Sequence, residues 1–285
     1  MLRLGDQHEL YAYTPFPRRS TFTWPGGARI AVWVVPNIEH YELTAPDGSV
    51  DVPQFSRTDY GNRVGVWRII DLLSRFNIRG TVALNSAVCR HYPAIIDACL
   101  SSNWELMGHG ITNSQNLETV EPDEQRELIQ LCLAEIRSAS GQPVRGWLGP
   151  GLRESPATLS LLQAAGIQYV CDWVHDDLPV RFRNGLYSIP YTLDANDIRM
   201  LRPPLFGALD WHALVKRTFD VLYADSAGCA RVMCLALHPF IIGTPGRIGL
   251  LEDILGHVAR HEQVWFATGG EIVDAYARSE EGVST

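Results

Sequence analysis

Apolar runs of strand length alternate with stretches of helical period along most of the chain. Arg29 to Val35, R-I-A-V-W-V-V, is apolar at consecutive positions, as in a strand covered on both faces. Pro36 stops it, and N-I-E-H-Y follows. Residues 42 to 62, rich in Pro, Gly and Asp, read as a long loop of the kind that walls a site. From Arg63 the period becomes helical, with Val64, Val66, Trp67, Ile70, Leu73 and Phe76 as one stripe.

Further strands are expected at Gly80 to Leu84, before His109, at Val144 to Leu148, Gln168 to Cys171, Arg231 to Leu237 and Val264 to Ala267. Helices are expected after Pro93, over Glu121 to Ser138, Pro156 to Ala165, Asp210 to Ala224, Arg247 to His261, and from Glu271. Residues 173 to 209 are irregular and rich in proline. Such alternation implies a parallel sheet with right-handed crossovers, and the fold class is an α/β distorted (β/α) barrel. With no internal repeat and no linker, residues 1–285 read as one domain with an N-terminal extension over 1–28.

Polar residues gather where these strands end. Asn37, Glu39 and His40 follow the first strand, Asn85 the second and His109 the third. Arg145 begins the fourth, Asp172 follows the fifth, and His238 follows the late apolar strand. The C-terminal ends of consecutive parallel strands converge on one face, where such folds keep their active sites. A carboxylate, two imidazoles and an Asp with an Arg supply a water activator, a proton donor and an orienting pair for hydrolysis. There is no G-x-S-x-G elbow and no G-x-G-x-x-G, so acyl-serine chemistry and a dinucleotide cofactor are disfavoured.

Composition narrows the partners. The net charge of -8 disfavours nucleic acid and anionic membranes, leaving a small-molecule substrate. Lys216 is the one lysine, which leaves little scope for Schiff-base chemistry. The six cysteines form no C-x-x-C pair and read as buried thiols of a reducing compartment. Met1 to Thr14 has no signal-peptide pattern, and a cytoplasmic location is expected. The loop around Trp211 looks exposed, which raises self-association as a homo-oligomer.

The motifs W-P-G-G-A-R-I-A-V with N-I-E-H-Y, D-Y-G-N-R-V-G-V-W-R, M-G-H-G, G-W-L-G-P-G, D-W-V-H-D-D-L-P and L-H-P-F-I-I-G-T-P-G-R stand in that order between Trp24 and Tyr276. In them the chain resembles the polysaccharide deacetylase-like superfamily with its NodB-homology domain, in the branch of metal-independent allantoinases and cyclic imide hydrolases. The resemblance implies a hydrolase cleaving a carbon–nitrogen bond other than a peptide bond. It implies Glu39 as base, with Arg145, Asp172 as the acid orienting it, and His238 as general acid. Asn37, Asn85, Trp147 and Asp177 are the expected substrate-binding residues.

Two positions depart from the resemblance. The usual acidic pair reads Asn37-Ile38-Glu39-His40, and the second histidine of His-x-x-x-His is Asn113. A divalent metal, zinc first among the candidates, would fall to Glu39, His109 and Asn113, with His40 beside them, and would be held weakly. The other route is water activated by Glu39 and His109 without a metal. A closed pocket for a small cyclic amide, imide or ureide is favoured over N-acetylated sugars or peptidoglycan fragments. Asp176 and Asp177 would wall the pocket or anchor an arginine such as Arg181 or Arg202. A barrel that has lost catalysis and binds a ligand is the alternative of another class.

Overall fold

The structure is a computed structural model that describes residues 9–283 except 20, 45–46 and 202–205. Among the described residues, nine strands form one sheet: β1 (Ile30–Ile38), β2 (Thr81–Leu84), β3 (Glu105–Gly108), β4 (Gly146–Trp147), β5 (Tyr169–Val170), β6 (Val180–Arg181), β7 (Tyr187–Ser188), β8 (Arg231–Leu237) and β9 (Val264–Phe266). Their order is β6-β7-β5-β4-β3-β2-β1-β8, with β9 also on β1. Every pairing is parallel except β6 with β7. The sheet curls, and beyond β7 the chain returns along β8, where Asn196 pairs with Ala236. The result is the expected distorted barrel.

Side chains on a strand point alternately to its two faces, so parity decides what each residue can reach. Ala31, Trp33, Val35, Ala83, Met107, Leu148, Tyr169, Cys171, Val232, Cys234 and Ala236 share one buried cluster, the barrel interior. Ile30, Val32, Val34, Val82, Leu84, Leu106, Trp147, Met233 and Leu235 belong to the other, under the helices. One step further along each inward row lie Asn37 and Glu39, Asn85, His109 and His238.

Residues 42 to 62 are not a loop throughout. Asp51 accepts from the Gln54 N–H and caps helix α1 (Val52–Tyr60), with Pro53 in its first turn. A π turn over Gly61–Gly65, closed by the Val66 N–H on the Gly61 carbonyl, joins α1 to α2 (Val66–Arg75). The buried face of α2 is Val66, Ile69, Leu72 and Leu73, while Trp67 is 39% exposed. The stripe expected through Val64 and Trp67 assumed an unbroken α register, which the wide turn interrupts.

The remaining helices are α3 (Ala87–His91), α4 (Pro93–Ser101), α5 (Pro122–Ser140), α6 (Thr158–Ala164), α7 (Ala208–Asp225), α8 (Ile248–Ala259) and α9 (Gly269–Val283). Trp211 is buried in α7, its indole N–H on the Asn196 carbonyl, so it offers no exposed loop for self-association. Among the described residues no helix is long and apolar enough to cross a membrane.

Candidate active site

Glu39 ends the inward row of β1 and is buried, and its Oε1 lies 3.6 Å from His109 Nε2 and 3.6 Å from His238 Nε2. Its Oε2 is buried without a hydrogen-bond partner, which leaves it to meet water or substrate. Burial is the largest influence on this carboxyl and would raise its pKa. His238, His109 and the Asn113 amide together outweigh that, so Glu39 lies below the usual carboxylate range and is ionised at neutral pH.

Each imidazole is held from behind. His109 Nδ1 faces the Leu148 carbonyl at 2.6 Å, and a carbonyl can only accept, so Nδ1 carries a proton. His238 Nδ1 faces Asp197 Oδ1 at 2.7 Å, and Asp197 Oδ2 accepts the His238 backbone N–H at 2.8 Å. Asp197 is fully buried. Burial pushes its carboxyl up and His238 draws it back. With both Nδ1 atoms engaged, both Nε2 atoms turn toward Glu39. Two lone pairs and a carboxylate would repel, so a proton on one Nε2 gives the arrangement its cohesion.

The amides around the centre can be oriented from their backbone partners. Asn85 accepts the His40 N–H at 2.8 Å and donates to the His109 carbonyl, which leaves Oδ1 and Nδ2 no choice of position. Its Nδ2 also donates to Asn113 Oδ1 at 3.1 Å. Asn113 therefore shows its NH2 to Tyr41 Oη at 3.3 Å and to Glu39, and its oxygen is taken. From the widened turn, Asn62 Nδ2 donates to the Glu39 carbonyl at 2.8 Å. A methyl at Gly65 would lie 2.0 Å from the Pro239 carbonyl oxygen and one at Gly61 2.8 Å from the Phe240 nitrogen. These glycines let α1 and α2 press on the loop that begins at His238.

Glu39, His109, His238 and Asn113 thus meet in one place, and other expected residues take different positions. Arg145 precedes β4, at the end of the barrel away from the site, and bonds Asp274 at 2.5 and 3.1 Å and Gln168 at 2.7 Å. Asp172 follows β5 at the other end, so the two form no pair. Asp172 Oδ1 instead accepts the Gly149 N–H at 2.7 Å. Trp147 has outward parity and packs on Gly108, where a methyl would meet its ring at 2.7 Å.

Asn37 and Asn85 are buried at the site but spent within the protein. Asn37 bonds the Val35 and Leu237 carbonyls and the Tyr191 hydroxyl, so it joins strands and does not face substrate. Asp177 is exposed, and its carbonyl accepts from Val232 low on β8. Asp176 pairs with Arg19, Arg181 lies over the Tyr187 ring at 5.8 Å, and Arg202 is outside the described residues. His40 stacks on His91 with ring centroids 4.5 Å apart. Asp197, Asn62 and the Leu148 carbonyl, which hold His238, Glu39 and His109, are not singled out by the sequence. No spacing signals them, since Asp197 lies 41 residues before its partner in an irregular segment.

Residues 56–170 match the family model for polysaccharide deacetylase. Over that stretch the chain is similar to polysaccharide deacetylases. This family consists of hydrolases acting on carbon–nitrogen bonds other than peptide bonds. A Schizosaccharomyces pombe protein with a provisional polysaccharide deacetylase name is 27% identical, over 90% of this chain and 93% of its own. The peptidoglycan deacetylase of Helicobacter pylori is 22% identical over 81% and 90%. The crystal structure of PuuE allantoinase superposes with a TM-score of 0.83 at 28% identity, covering 94% of this chain and 95% of that one.

Deacetylases of this family are generally metal-dependent. The donor set Glu39, His109 and Asn113 does not fit a divalent ion, because Asn113 has its oxygen on Asn85 and presents N–H groups. Among the described residues, the three ligating side chains with donor atoms all within 4.8 Å are Asp220 on α7, His257 on α8 and His261 just after it, outside the barrel.

Proposed function

We propose that this protein hydrolyses the amide bond of a small cyclic amide, imide or ureide, using Glu39 and two imidazoles to activate water. The observation that carries the reading is the ionised, buried Glu39 with a free Oε2 between two histidines whose Nδ1 atoms are both pinned. The likeness to an allantoinase over nearly the whole chain supports the substrate class. Six cysteines, none joined in a disulfide among the described residues, accord with a cytoplasmic location.

Water would donate one hydrogen to Glu39 and the other to His109 Nε2, which has a lone pair when Nδ1 is protonated. Its oxygen attacks the carbonyl carbon while Glu39 takes the proton. The tetrahedral intermediate then collapses, the C–N bond breaks, and His238 delivers its Nε2 proton to the leaving nitrogen. Asp197 stabilises the imidazolium before that transfer, in the manner of the carboxylate in a serine hydrolase triad. The products are a carboxylate and a ring-opened amine, amide or urea.

The test is turnover of allantoin, hydantoin, succinimide and glutarimide, each with and without added zinc, beside Glu39→Gln as control. Turnover that Glu39→Gln abolishes is expected without zinc. No turnover on any of the four overturns the substrate class, and turnover strictly requiring zinc overturns the water-activation scheme. Because curated relatives include a peptidoglycan deacetylase, acetate release from chitooligosaccharides tests the second reading.

A further inference from the structure

Three separate contacts reach His109 through one peptide group. The His109 Nδ1–H donates to the Leu148 carbonyl at 2.6 Å, and the N–H on the other side of that same peptide, from Gly149, donates to Asp172 Oδ1 at 2.7 Å. Asp172 Oδ2 is closed off from solvent with no donor facing it. Its hydrogen-bonding neighbour is the Glu154 carboxyl, which also accepts the Trp173 indole N–H at 3.1 Å. Two carboxylate oxygens side by side can bond only if one carries a proton. Burial raises both carboxyls, Asp172 well above its usual range, and the Trp173 indole N–H on Glu154 favours the charge there, which leaves the proton on Asp172.

We infer that Asp172 is a positioning residue: as a neutral acid it donates to Glu154, accepts from Gly149, and through the Leu148–Gly149 peptide holds His109 in the tautomer whose Nε2 faces Glu39. Every donor in this chain points the same way, from His109 to Leu148, from Gly149 to Asp172, and from Asp172 to Glu154. Aligned hydrogen bonds polarise one another, so an anion at the far end strengthens the Leu148 carbonyl as an acceptor. Gly149 is required for the approach, since a methyl there would lie 2.7 Å from the Arg153 carbonyl oxygen and 3.3 Å from Asp172 Oδ2.

The inference rests on the reading of His109 as the acceptor for the attacking water, yet its test needs no substrate. The 15N shifts of His109 in histidine-labelled protein report which ring nitrogen holds the proton, with the signal assigned by His109→Gln. Asp172→Asn keeps an acceptor for Gly149 and a donor for Glu154, and should retain the wild-type tautomer. Asp172→Leu should mix the tautomers and, on an active substrate, lower kcat by about 10–100-fold while KM changes little. A folded Asp172→Leu with an unchanged His109 signal overturns the proposal, as does Asp172→Asn behaving like Asp172→Leu. Should the leucine variant not fold, the Asp172 carboxyl carbon in the wild-type protein decides: a protonated 13C signal at pH 7 is expected, and an ionised one overturns it.

Discussion

Glu39 Oε1 stands 3.6 Å from His238 Nε2, and Asp197 holds the far side of the same ring at 2.7 Å. The imidazole is thus placed between two buried carboxylates, one with an oxygen that has no hydrogen-bond partner and one with both oxygens engaged. Glu39→Gln keeps the shape and removes the base. Turnover should fall by roughly 10²–10⁴-fold, the usual worth of a general base, with the melting transition retained. Activity within tenfold of wild type, measured on the substrate found by the screen, would remove Glu39 from the proposed role.

Asp197→Asn should be as damaging to kcat as the loss of Glu39, because an amide facing Nδ1 no longer selects the Nδ1–H tautomer. A loss of ~10²–10⁴-fold is expected. His238→Gln in the same background should add little, since the two residues act as a unit. Fully additive losses would show that they act separately.

The pH dependence follows from the sign of the Glu39 shift. Its pKa lies below the ordinary 4.5, so the base is active above that lowered value and activity is lost only as acid protonates it. The same group stabilises the fold above its unfolded pKa and loses that contribution as pH falls through the folded one. The acid limb of kcat/KM should lie below pH 4.5, and Glu39→Gln should lessen the acid-induced drop in melting temperature. An acid limb above pH 5 would contradict this assignment.

Arg145→Ala tests the correction made by the barrel's geometry. Its guanidinium is partly exposed on Asp274, so stability should fall by about 1 kcal/mol or less, and kcat should stay within about twofold. A large loss in kcat with an intact fold would return Arg145 to the catalytic set.

Asn113→His places an imidazole four residues after His109. Zinc affinity, followed by titration calorimetry, should rise roughly tenfold or more as a lone-pair donor replaces an N–H donor. The lost bond to Asn85 should cost on the order of 1 kcal/mol. Equal zinc affinity in both proteins would show that Asn113 is not what weakens the site.

The alternation of strands with helices and the barrel end where polar residues gather were legible because buried parallel strands are continuous apolar runs, and the polar residue that ends each run is conspicuous. Glu39, His109 and His238, which the structure brings together, were singled out this way. Arg145 does stand at the start of the fourth strand as read, but that start lies at the end of the barrel away from the site, and Trp147 takes the outward row, which a two-residue strand is too short to reveal by alternation. Asp197 and Asn62 were missed because their partners are set by tertiary packing. The Leu148 carbonyl is invisible in principle, since every residue has one.

The π turn at Gly61–Gly65 has a further consequence for how this site tolerates change. Each helical residue advances the helix by about 100°, so a turn closed one residue late sets α1 and α2 out of phase by about that angle. Removing a single residue there would restore an ordinary helix and swing Asn62 away from the Glu39 carbonyl, although no side chain near the substrate had been altered. In this barrel the π turn that touches Glu39 and the residues after His238 depends on helical phase, a quantity that insertions and deletions disturb and most substitutions do not.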